Sequence, residues 1–221
     1  MASMNDALTQ ILQTGMSVEV AQAANEIREA QALRHRVFCL ERKLFDTLPS
    51  AYLDQDPFDE AAQHIVVRRA SDNEVVATTR IVRSQMADHG TILPMHRYCC
   101  PTLFDGLPMH SVGEISRFAI SKQLRGTEGA SGPAVRLLLL RGILQTSQEM
   151  GLTHWCALME PSLIRLLSAT GLQFNAVGPL VEAYGQRQPC WAHIDHAVSR
   201  GRTSHPHFYQ AVAAHNFLQA A

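Results

Sequence analysis

The alternation of hydrophobic and polar residues predicts a chain that mixes strands with helices. Period-two alternation, with β-branched and aromatic residues, predicts strands at 16–23, 64–70, 74–83, 113–121, 154–159 and 191–197. Apolar residues at helical spacing predict helices at 25–42, 131–150 and 162–170, with further helical patterns at 5–14 and 204–220. An antiparallel hairpin followed by alternating strands and helices favours an α/β (α+β) fold, with a mixed central sheet and helices on both faces.

The length of the chain, 221 residues, is sufficient for one sizeable core. We therefore expect a single domain over residues 1–221. Residues 1–15 would form a helical extension at its start, and residues 203–221 would form a C-terminal helix.

The strand GEISRFAIS, residues 113–121, is the most informative stretch of the chain. Its alternation places Glu114, Ser116, Phe118 and Ile120 on one face, and it also contains Arg117. Removing an ion from water costs several kcal/mol unless the ion is paired. The strand therefore carries either an internal ion pair or a functional site, and the strand alone does not decide between them.

Further charges occur where a core is predicted. Arg34 is four residues before Phe38 on a predicted helix, so the two side chains share a neighbouring face. Arg80 lies in an otherwise apolar and threonine-rich strand, where its side chain requires a carboxylate partner. The irregular segment 44–62 supplies carboxylates at Asp54, Asp56, Asp59 and Glu60, unless it is simply a solvated acidic loop.

Composition narrows the class of protein. Hydrophobic residues make up 46% and charged residues 18% of the chain, and the net charge of −1 argues against a dedicated nucleic-acid binder. No apolar run approaches the roughly 20 residues that cross a bilayer, and no basic segment precedes an apolar one at the start. Five cysteines without a CxxC favour free thiols in a reducing cytoplasm. The histidine pairs lack partners at ligand spacing, so we expect no metal site.

A polar, glycine-bearing loop, SKQLRGTEGASGP, connects the strand at 113–121 to the helix at 131–150. Free N–H groups and the helix dipole make such a junction a ready anion site. The loop contains Gly126 and Gly129 but is neither a P-loop nor a GxGxxG motif, so this signal is weak when taken alone.

The order of elements, with a glycine loop after the fourth strand, resembles the GNAT acyltransferase fold, a three-layer sandwich. In that fold the loop holds the pyrophosphate of CoA or the phosphopantetheine of an acyl carrier protein. The motifs RHRVF, DPFD, ATTRIV and EISR, in this order, resemble the signature of the autoinducer synthases, the acyl-homoserine lactone synthases. In that family these motifs surround the active site, which implies a site formed by the following residues: Arg34, Phe38, Asp56, Asp59, Arg80, Glu114, Ser116 and Arg117.

A second resemblance covers more of the chain, from about Arg34 to Ala192. VFCLER, LPMHRYC, EISRFAIS, MEPSLIRLLSATGLQF, GPLVEAYG and RQPCWA are similar to segments of exosortase-associated acyltransferases and long-chain N-acyl amino acid synthases. This resemblance implies transfer of a long fatty acyl group from an acyl-carrier-protein or CoA thioester to the amine of an amino acid or similar small amine. The thioester is a co-substrate, and no cofactor is bound permanently.

The resemblance also implies a localisation and partners for the protein, and it leaves two alternative functions open. We expect a cytoplasmic enzyme with acyl carrier protein as its partner, without nucleic acid or a membrane span, and with membrane-surface contact through its lipid product. One alternative is an acyl-homoserine lactone synthase that uses S-adenosylmethionine. Another is a non-catalytic module that binds an acyl group or a carrier protein.

Thioester aminolysis requires a neutral amine, a general base and donors for the developing oxyanion. We expect Glu114 to be the base, and N–H groups near Phe118 and Ala119 to be the donors. Ser116, Arg117 and Phe118 are grouped with Glu114 as catalytic. No cysteine needs a catalytic role.

Two groups of residues are assigned to the substrates. Arg34, Phe38, Asp56, Asp59 and Arg80 are the substrate-binding set, although its charged members can also serve to lock the loop to the sheet. We expect those four charges to cluster at the mouth of the site. The carrier-binding set forms a basic patch with exposed cations, and it consists of Lys122, Arg125, Gly126 and Gly129, with Arg136 and Arg141 on the next helix.

Overall fold

The structure is a computed structural model that describes residues 15–44, 52–87, 90–125 and 131–204, together with residues 206 and 209. Three predicted features lie wholly or largely outside these residues. They are the helix at 5–14, the glycine loop with Gly126 and Gly129, and the tail after residue 204.

An eight-stranded mixed sheet forms the centre of the molecule. The strands, in chain order, are β1 (Met16–Ala21), β2 (Ala62–Arg69), β3 (Val75–Arg83), β4 (Gln85–Ala87), β5 (Gly90–Ile92), β6 (Val112–Ile120), β7 (His154–Met159), β8 (Asn175–Ala176), β9 (Val181–Glu182) and β10 (Gln186–His193). The order across the sheet is β1-β2-β3-β6-β7-β10-β8, with β9 also paired to β10, whereas β4 and β5 form a separate hairpin. Only the pairing of β6 with β7 is parallel in the described sheet.

Four α-helices accompany the sheet within the described residues. They are α1 (Ala24–His35), α2 (Ser131–Glu149), α3 (Pro161–Ala169) and α4 (Ile194–Ser204). A π-helical turn, Arg36–Glu41, continues α1, and short 3-10 turns occur at Asp59–Ala61, Pro94–Arg97, Pro101–Phe104 and Met109–Ser111.

The helices cover both faces of the sheet, as the sequence predicts. On one face, Ala30, Leu33 and Val37 of α1 and its π-helical turn pack against Val66 and Ala119. On the other face, residues of α2 and α4 share a core with the sheet, and this core includes Val135, Leu138, Leu139, Val198, Ile65, Ile81 and Trp155. The predicted three-layer arrangement with a mixed sheet is confirmed.

A bulge in β6 corrects the predicted alternation of that strand. The register with β3 shifts between Thr78 and Arg80, and Arg117 has a positive φ of 56°. The extra residue reverses the side-chain direction beyond it. Phe118 and Ile120 therefore pack against the α2 face, while Ala119 packs against α1. The prediction that Phe118 and Ile120 share a face with Glu114 and Ser116 is wrong.

The two parallel strands separate beyond the middle of the sheet. Described pairing of β6 with β7 covers Val112, Gly113 and Glu114, and ends at the pair Glu114 and Cys156. β6 continues to Ile120 and remains paired with β3, while β7 continues to Met159 and remains paired with β10. A gap therefore opens between the two strands directly after Glu114.

Two predicted boundaries shift in the structure. The last strand is Gln186–His193 rather than 191–197, because α4 begins at Ile194. Ile194, Ala197 and Val198 are buried at helical spacing, and this periodicity outweighs the β-propensity of the segment. At α1 the N-cap is Ala23 rather than Asn25, and Glu26 accepts the N–H groups of Gln22 and Ala23.

Candidate active site

Three arginines and three aspartates form a connected network on the α1 face of the sheet, which we call the charge cluster. Its members are Arg34, Asp54, Asp56, Asp59, Arg80 and Arg117. The formal charges within the cluster cancel. Such a network can lie inside a protein because each ion has an opposite partner.

Arg80 is the centre of the charge cluster and is 0% exposed. Its Nη1 and Nη2 donate to Oδ1 and Oδ2 of Asp56, both at 2.7 Å. Nη1 also donates to Oδ1 of Asp59 at 2.5 Å, and Nε donates to Oγ of Ser116 at 3.1 Å. The guanidinium is thus held in a bidentate geometry by Asp56, with further hydrogen bonds to Asp59 and Ser116.

Arg34 connects α1 to the acidic segment. Its Nη1 and Nη2 donate to Oδ1 and Oδ2 of Asp59 at 2.8 and 3.1 Å. Its Nε donates to Oδ2 of Asp54 at 2.8 Å, and Nη2 donates to the Asp54 carbonyl at 2.6 Å. The segment that bears the aspartates is therefore fastened to both α1 and β3.

Arg117 completes the cluster from the bulge of β6. Its Nε donates to Oδ2 of Asp54 at 2.8 Å, and its Nη2 donates to Oδ2 of Asp56 at 3.1 Å. Its side chain is 21% exposed, against 0–1% for Arg80 and Arg34. Arg117 is therefore the arginine through which the cluster reaches the surface.

The ionisation of the aspartates follows from these contacts. Burial would raise the pKa of both Asp56 and Asp59. The hydrogen bond and charge of Arg80, with the charge of Arg117, instead lower the pKa of Asp56. The hydrogen bond and charge of Arg34, with the charge of Arg80, hold the pKa of Asp59 well below its usual value. Burial also lowers the pKa of the adjacent His64, whose Nε2 lies 3.1 Å from the Asp59 carbonyl oxygen. The carboxylates therefore remain charged at neutral pH.

The predicted contacts among Arg34, Asp56, Asp59 and Arg80 are present, with two corrections. Arg34, Asp59 and Arg80 are buried rather than at a mouth, and only Asp56 among the four is partly exposed, with 11% of its side chain accessible. The sequence reasoning also left Asp54 out of the site. The position of Asp54 in the same short acidic segment as Asp56 and Asp59 was the sequence signal that could have placed it in the site.

Glu114 lies beside the charge cluster at the last paired position of β6 and β7. It is 3% exposed, and its Oε2 accepts the N–H of Met95 at 2.8 Å. Burial raises its pKa to about 8, although the Met95 hydrogen bond and the charges of Arg80 and Arg117 oppose the shift. A carboxyl with such a pKa can exchange a proton near neutral pH.

Two buried thiols adjoin Glu114. Burial raises the pKa of Cys99 to about 11 and that of Cys156 well above its usual range, and the charge of Glu114 adds to both shifts. Both thiols therefore stay protonated and act as small apolar side chains around the carboxyl.

The segment that supports Glu114 was missed by the sequence reasoning. The 3-10 turn Pro94–Arg97 supplies the Met95 N–H, and Tyr98 follows it directly. Tyr98 packs edge-on against Tyr184 with ring centroids 5.9 Å apart, and burial raises its pKa to about 12. This irregular segment has no periodicity that could have predicted its contacts.

The remaining residues predicted for substrate and carrier binding lie outside the charge cluster. Phe38 is buried in the α1 core and contacts the apolar cluster that includes Ala119. Lys122 is exposed after β6, as expected. Arg125 is not a free surface cation, because it forms an ion pair with Glu41 and its side chain is 31% exposed. Arg141 is buried, and this burial lowers its pKa, so Arg141 does not contribute to an exposed basic patch.

The described ranges also bear on metal binding and on membrane insertion. There, no three His, Cys, Asp or Glu residues converge as a metal site would require. No described helix combines the length and the apolar character needed to span a membrane.

Comparisons define the class of this fold. A family profile described as an acetyltransferase (GNAT) domain matches residues 33–132. The eight-stranded mixed sheet with helices on both faces is a GNAT-type fold. A search of curated proteins found no match.

Solved structures of other proteins share this fold over most of their length. TofI in a ternary complex with an inhibitor and MTA is 18% identical, with a TM-score of 0.64, and the match covers 84% of this chain and 95% of TofI. FeeM, an N-acyl amino acid synthase from uncultured soil microbes, is 16% identical, with a TM-score of 0.61 and coverage of 84% and 93%. BjaI, a CoA-dependent acyl-homoserine lactone synthase with SAM and isopentyl-CoA, is 16% identical, with a TM-score of 0.67 and coverage of 88% and 90%. The resemblance to autoinducer synthases and to an N-acyl amino acid synthase is confirmed at the level of the fold.

Proposed function

We propose that this chain is an N-acyltransferase that moves a long fatty acyl group from a thioester to the amine of an amino acid or similar small amine. The observation that carries the proposal is Glu114, a buried carboxyl of raised pKa at the point where β6 and β7 separate. A buried carboxyl without an ion-pair partner of its own costs stability, and such groups concentrate at functional sites.

In this proposal the amine approaches Glu114 as an ammonium ion and transfers one proton to the carboxylate. The neutral nitrogen then attacks the thioester carbonyl carbon, the carbon–sulfur bond breaks, and the departing thiolate takes up a proton. A nearby ammonium favours the ionised form of Glu114, so a free-state pKa of about 8 is compatible with a base in the loaded site.

The gap between β6 and β7 is the proposed binding site for the acyl donor. Strands that separate leave backbone N–H groups that are not used by a partner strand. N–H groups near Phe118 and Ala119, on the β6 side of the gap, are the proposed donors to the developing oxyanion. The thioester arm would lie in the gap, with its carbonyl near Glu114.

The charge cluster has a supporting role in the same proposal. Arg80 and Arg34 lock the acidic segment to β3 and α1, while Arg117 brings a guanidinium from that cluster toward the surface. We propose Arg117 and Asp54 as the members that face the acceptor, with Ser116 holding Arg80 in place.

The acyl donor can be a thioester of acyl carrier protein or a thioester of CoA, and both remain candidates. FeeM is an N-acyl amino acid synthase, and BjaI and MesI are CoA-dependent acyl-homoserine lactone synthases. All five cysteines of this chain are free thiols, which is consistent with a reducing compartment such as the cytoplasm.

A second candidate function is acyl-homoserine lactone synthesis from S-adenosylmethionine. The structural similarity to BjaI, solved with SAM and isopentyl-CoA, favours it. The two functions share the donor chemistry and the base, but they differ in the acceptor.

The proposal is tested by the mass of lipids extracted from bacteria that overexpress the chain, with Glu114→Gln as the matched control. The expected result is an N-acyl amino acid present with the wild type and absent with the variant. An acyl-homoserine lactone would establish the second candidate. Identical lipid profiles for wild type and variant would contradict both functions and favour a non-catalytic binding module.

A further inference from the structure

The segment after α1 has an unusual backbone. Arg36–Glu41 is a π-helical turn in which the Arg42 N–H donates to the Val37 carbonyl at 3.0 Å, and the Leu44 N–H reaches the Phe38 carbonyl at 2.8 Å. Lys43 then adopts a positive φ of 51°. π-helical turns are rare and are frequent at functional sites. We call residues 36–42 the strap.

One residue of the strap is tied to the end of β6. The carboxylate of Glu41 accepts a hydrogen bond from Nη2 of Arg125. Arg125 closes the turn that follows β6, where its N–H donates to the Ser121 carbonyl at 3.1 Å. Glu41 therefore contacts the turn at the end of β6, which forms one rim of the gap.

The next residue of the strap is tied to the end of β7. Nη2 of Arg42 donates to Oε1 of Glu160 at 2.5 Å, and Glu160 directly follows β7. Nη2 of Arg187, at the start of β10, also lies 3.1 Å from Oε1 of Glu160. Arg42 therefore contacts the residue at the end of β7, which forms the opposite rim of the gap.

Consecutive Cα atoms are about 3.8 Å apart, so Glu41 and Arg42 join two strand ends that have separated from each other. We infer that the strap fixes the width of the gap between β6 and β7, and that Glu41 and Arg42 are positioning residues for the acyl donor. This inference rests on the proposed function, because it takes the gap as the place where the thioester arm lies.

The ion pairs that Glu41 and Arg42 form lie close to the surface of the protein. The side chains of the two ion pairs are 15–34% exposed, unlike the interior ions of the charge cluster. Burial would raise the pKa of Glu160, but the hydrogen bond and charge of Arg42, with the charge of Arg187, lower it. Glu160 is therefore charged at neutral pH. Partly exposed ion pairs of this kind are weak and sensitive to salt.

The strap also offers a matched control. Arg36 begins the same turn and pairs with Glu74 at 2.9 Å, just before β3 and away from the gap, with side chains 41% and 33% exposed. Removing this pair perturbs the same segment to a similar degree without changing either rim of the gap.

The experiment measures binding of dodecanoyl-CoA, and KM and kcat for the same donor, in four variants. These are Glu41→Gln, Arg42→Gln, the charge swap Glu41→Arg with Arg125→Glu, and the control Arg36→Gln. Thermal unfolding of each variant checks that the fold is retained. CoA is used because it removes any contribution from carrier-protein docking.

We expect Glu41→Gln and Arg42→Gln to weaken donor binding and raise KM by about fivefold, with kcat at saturating donor within about twofold. The charge swap should recover much of the loss, and Arg36→Gln should bind as the wild type does. Rising salt should narrow the difference between wild type and the two single variants, because screening weakens the pairs in the wild type.

Equal donor affinity in all variants would overturn the inference, and so would a KM that falls in the single variants, since the strap would then be a barrier. A charge swap no better than the single variants would also contradict it. A wild type that binds dodecanoyl-CoA without transfer activity would contradict the proposed function alone, and the binding ratios would still test the strap. A wild type that binds neither dodecanoyl-CoA nor the dodecanoyl thioester of acyl carrier protein would overturn both.

Discussion

Glu114 is deeply buried, accepts a backbone hydrogen bond from Met95, and forms no ion pair within the described part of the chain. This combination determines its chemistry. Its carboxyl contacts the Met95 N–H and adjoins two thiols that stay protonated. The carboxylate form of Glu114 is therefore less stable inside the protein than it would be in water, and the pKa of Glu114 rises to about 8. At the scale of single residues, Glu114 yields two predictions.

Glu114→Gln should lower turnover by about 100-fold, the usual contribution of a general base, while the fold is retained because the amide oxygen can still accept the Met95 N–H. Single-turnover kinetics at pH 7 check the loss, and thermal unfolding checks the fold. Turnover close to that of the wild type would remove Glu114 from the role of base.

The raised pKa also predicts how stability depends on pH. The folded state keeps a proton on Glu114 up to a pKa of about 8, whereas the ordinary value is 4.5, so the folded state binds more protons between these values. The stabilising contribution of the protonated carboxyl is then fully present below the ordinary pKa and is lost as pH rises through the folded one.

Denaturant unfolding of wild type and Glu114→Gln across this pH range isolates the effect, because other titrations cancel in the difference. The free energy of unfolding of the wild type, relative to the variant, should fall by about 1.4 kcal/mol per pH unit and level off above the folded pKa. A difference that stays constant with pH would mean that Glu114 ionises normally in the folded protein.

At the scale of elements, the charge cluster connects four parts of the chain that have no common periodicity. Arg34 comes from α1, Arg80 from β3, Arg117 from β6, and the aspartates from the segment before β2. The positive φ of Arg117 shows that the bulge places this guanidinium against Asp54 and Asp56. The cluster thus fixes the acidic segment in place and orders the α1 face of the site.

Arg80→Ala should destabilise the fold by about 3 kcal/mol, because Asp56 and Asp59 would lose a buried partner. The matched control is Arg69→Ala on β2, whose pairs with Asp72 and Glu74 are partly exposed and should contribute about 1 kcal/mol or less. Denaturant unfolding measures both. Equal losses would mean that the charge cluster is no stronger than surface ion pairs.

At the scale of the whole molecule, the net charge is −1, and arginines beside the gap are paired with glutamates. Arg125 and Arg42 are neutralised by Glu41 and Glu160, so the predicted basic patch is reduced. Lys122, exposed directly after β6, remains a cation that an acidic carrier protein could contact.

Lys122→Glu should raise the KM for an acyl carrier protein donor by several-fold and leave the KM for dodecanoyl-CoA unchanged, because CoA has no protein surface to dock. The difference should shrink as salt is raised and the screening length falls to about 8 Å. Arg28→Glu, an exposed charge reversal on α1, is the control. Equal changes with both donors would exclude carrier docking at Lys122.

Local periodicity determined most of the fold. The pattern of residues 154–159 predicted β7 with its observed bounds, and the pattern of residues 131–150 predicted α2 to within one residue. The pairing of Arg80 with a carboxylate also followed from sequence, because an arginine in an apolar strand requires one. The place of Arg34 in the site followed from the family resemblance.

Only the tertiary structure decided the features that depend on distant contacts. The bulge at Arg117, the end of pairing after Glu114 and the Met95 hydrogen bond arise where strands and irregular segments meet, and they leave no periodic signal. Glu41 and Arg125 are 84 residues apart in the chain. The sequence therefore determined which residues carry charge and which elements form, whereas packing decided which charges are neutralised and which carboxyl remains available to act as a base.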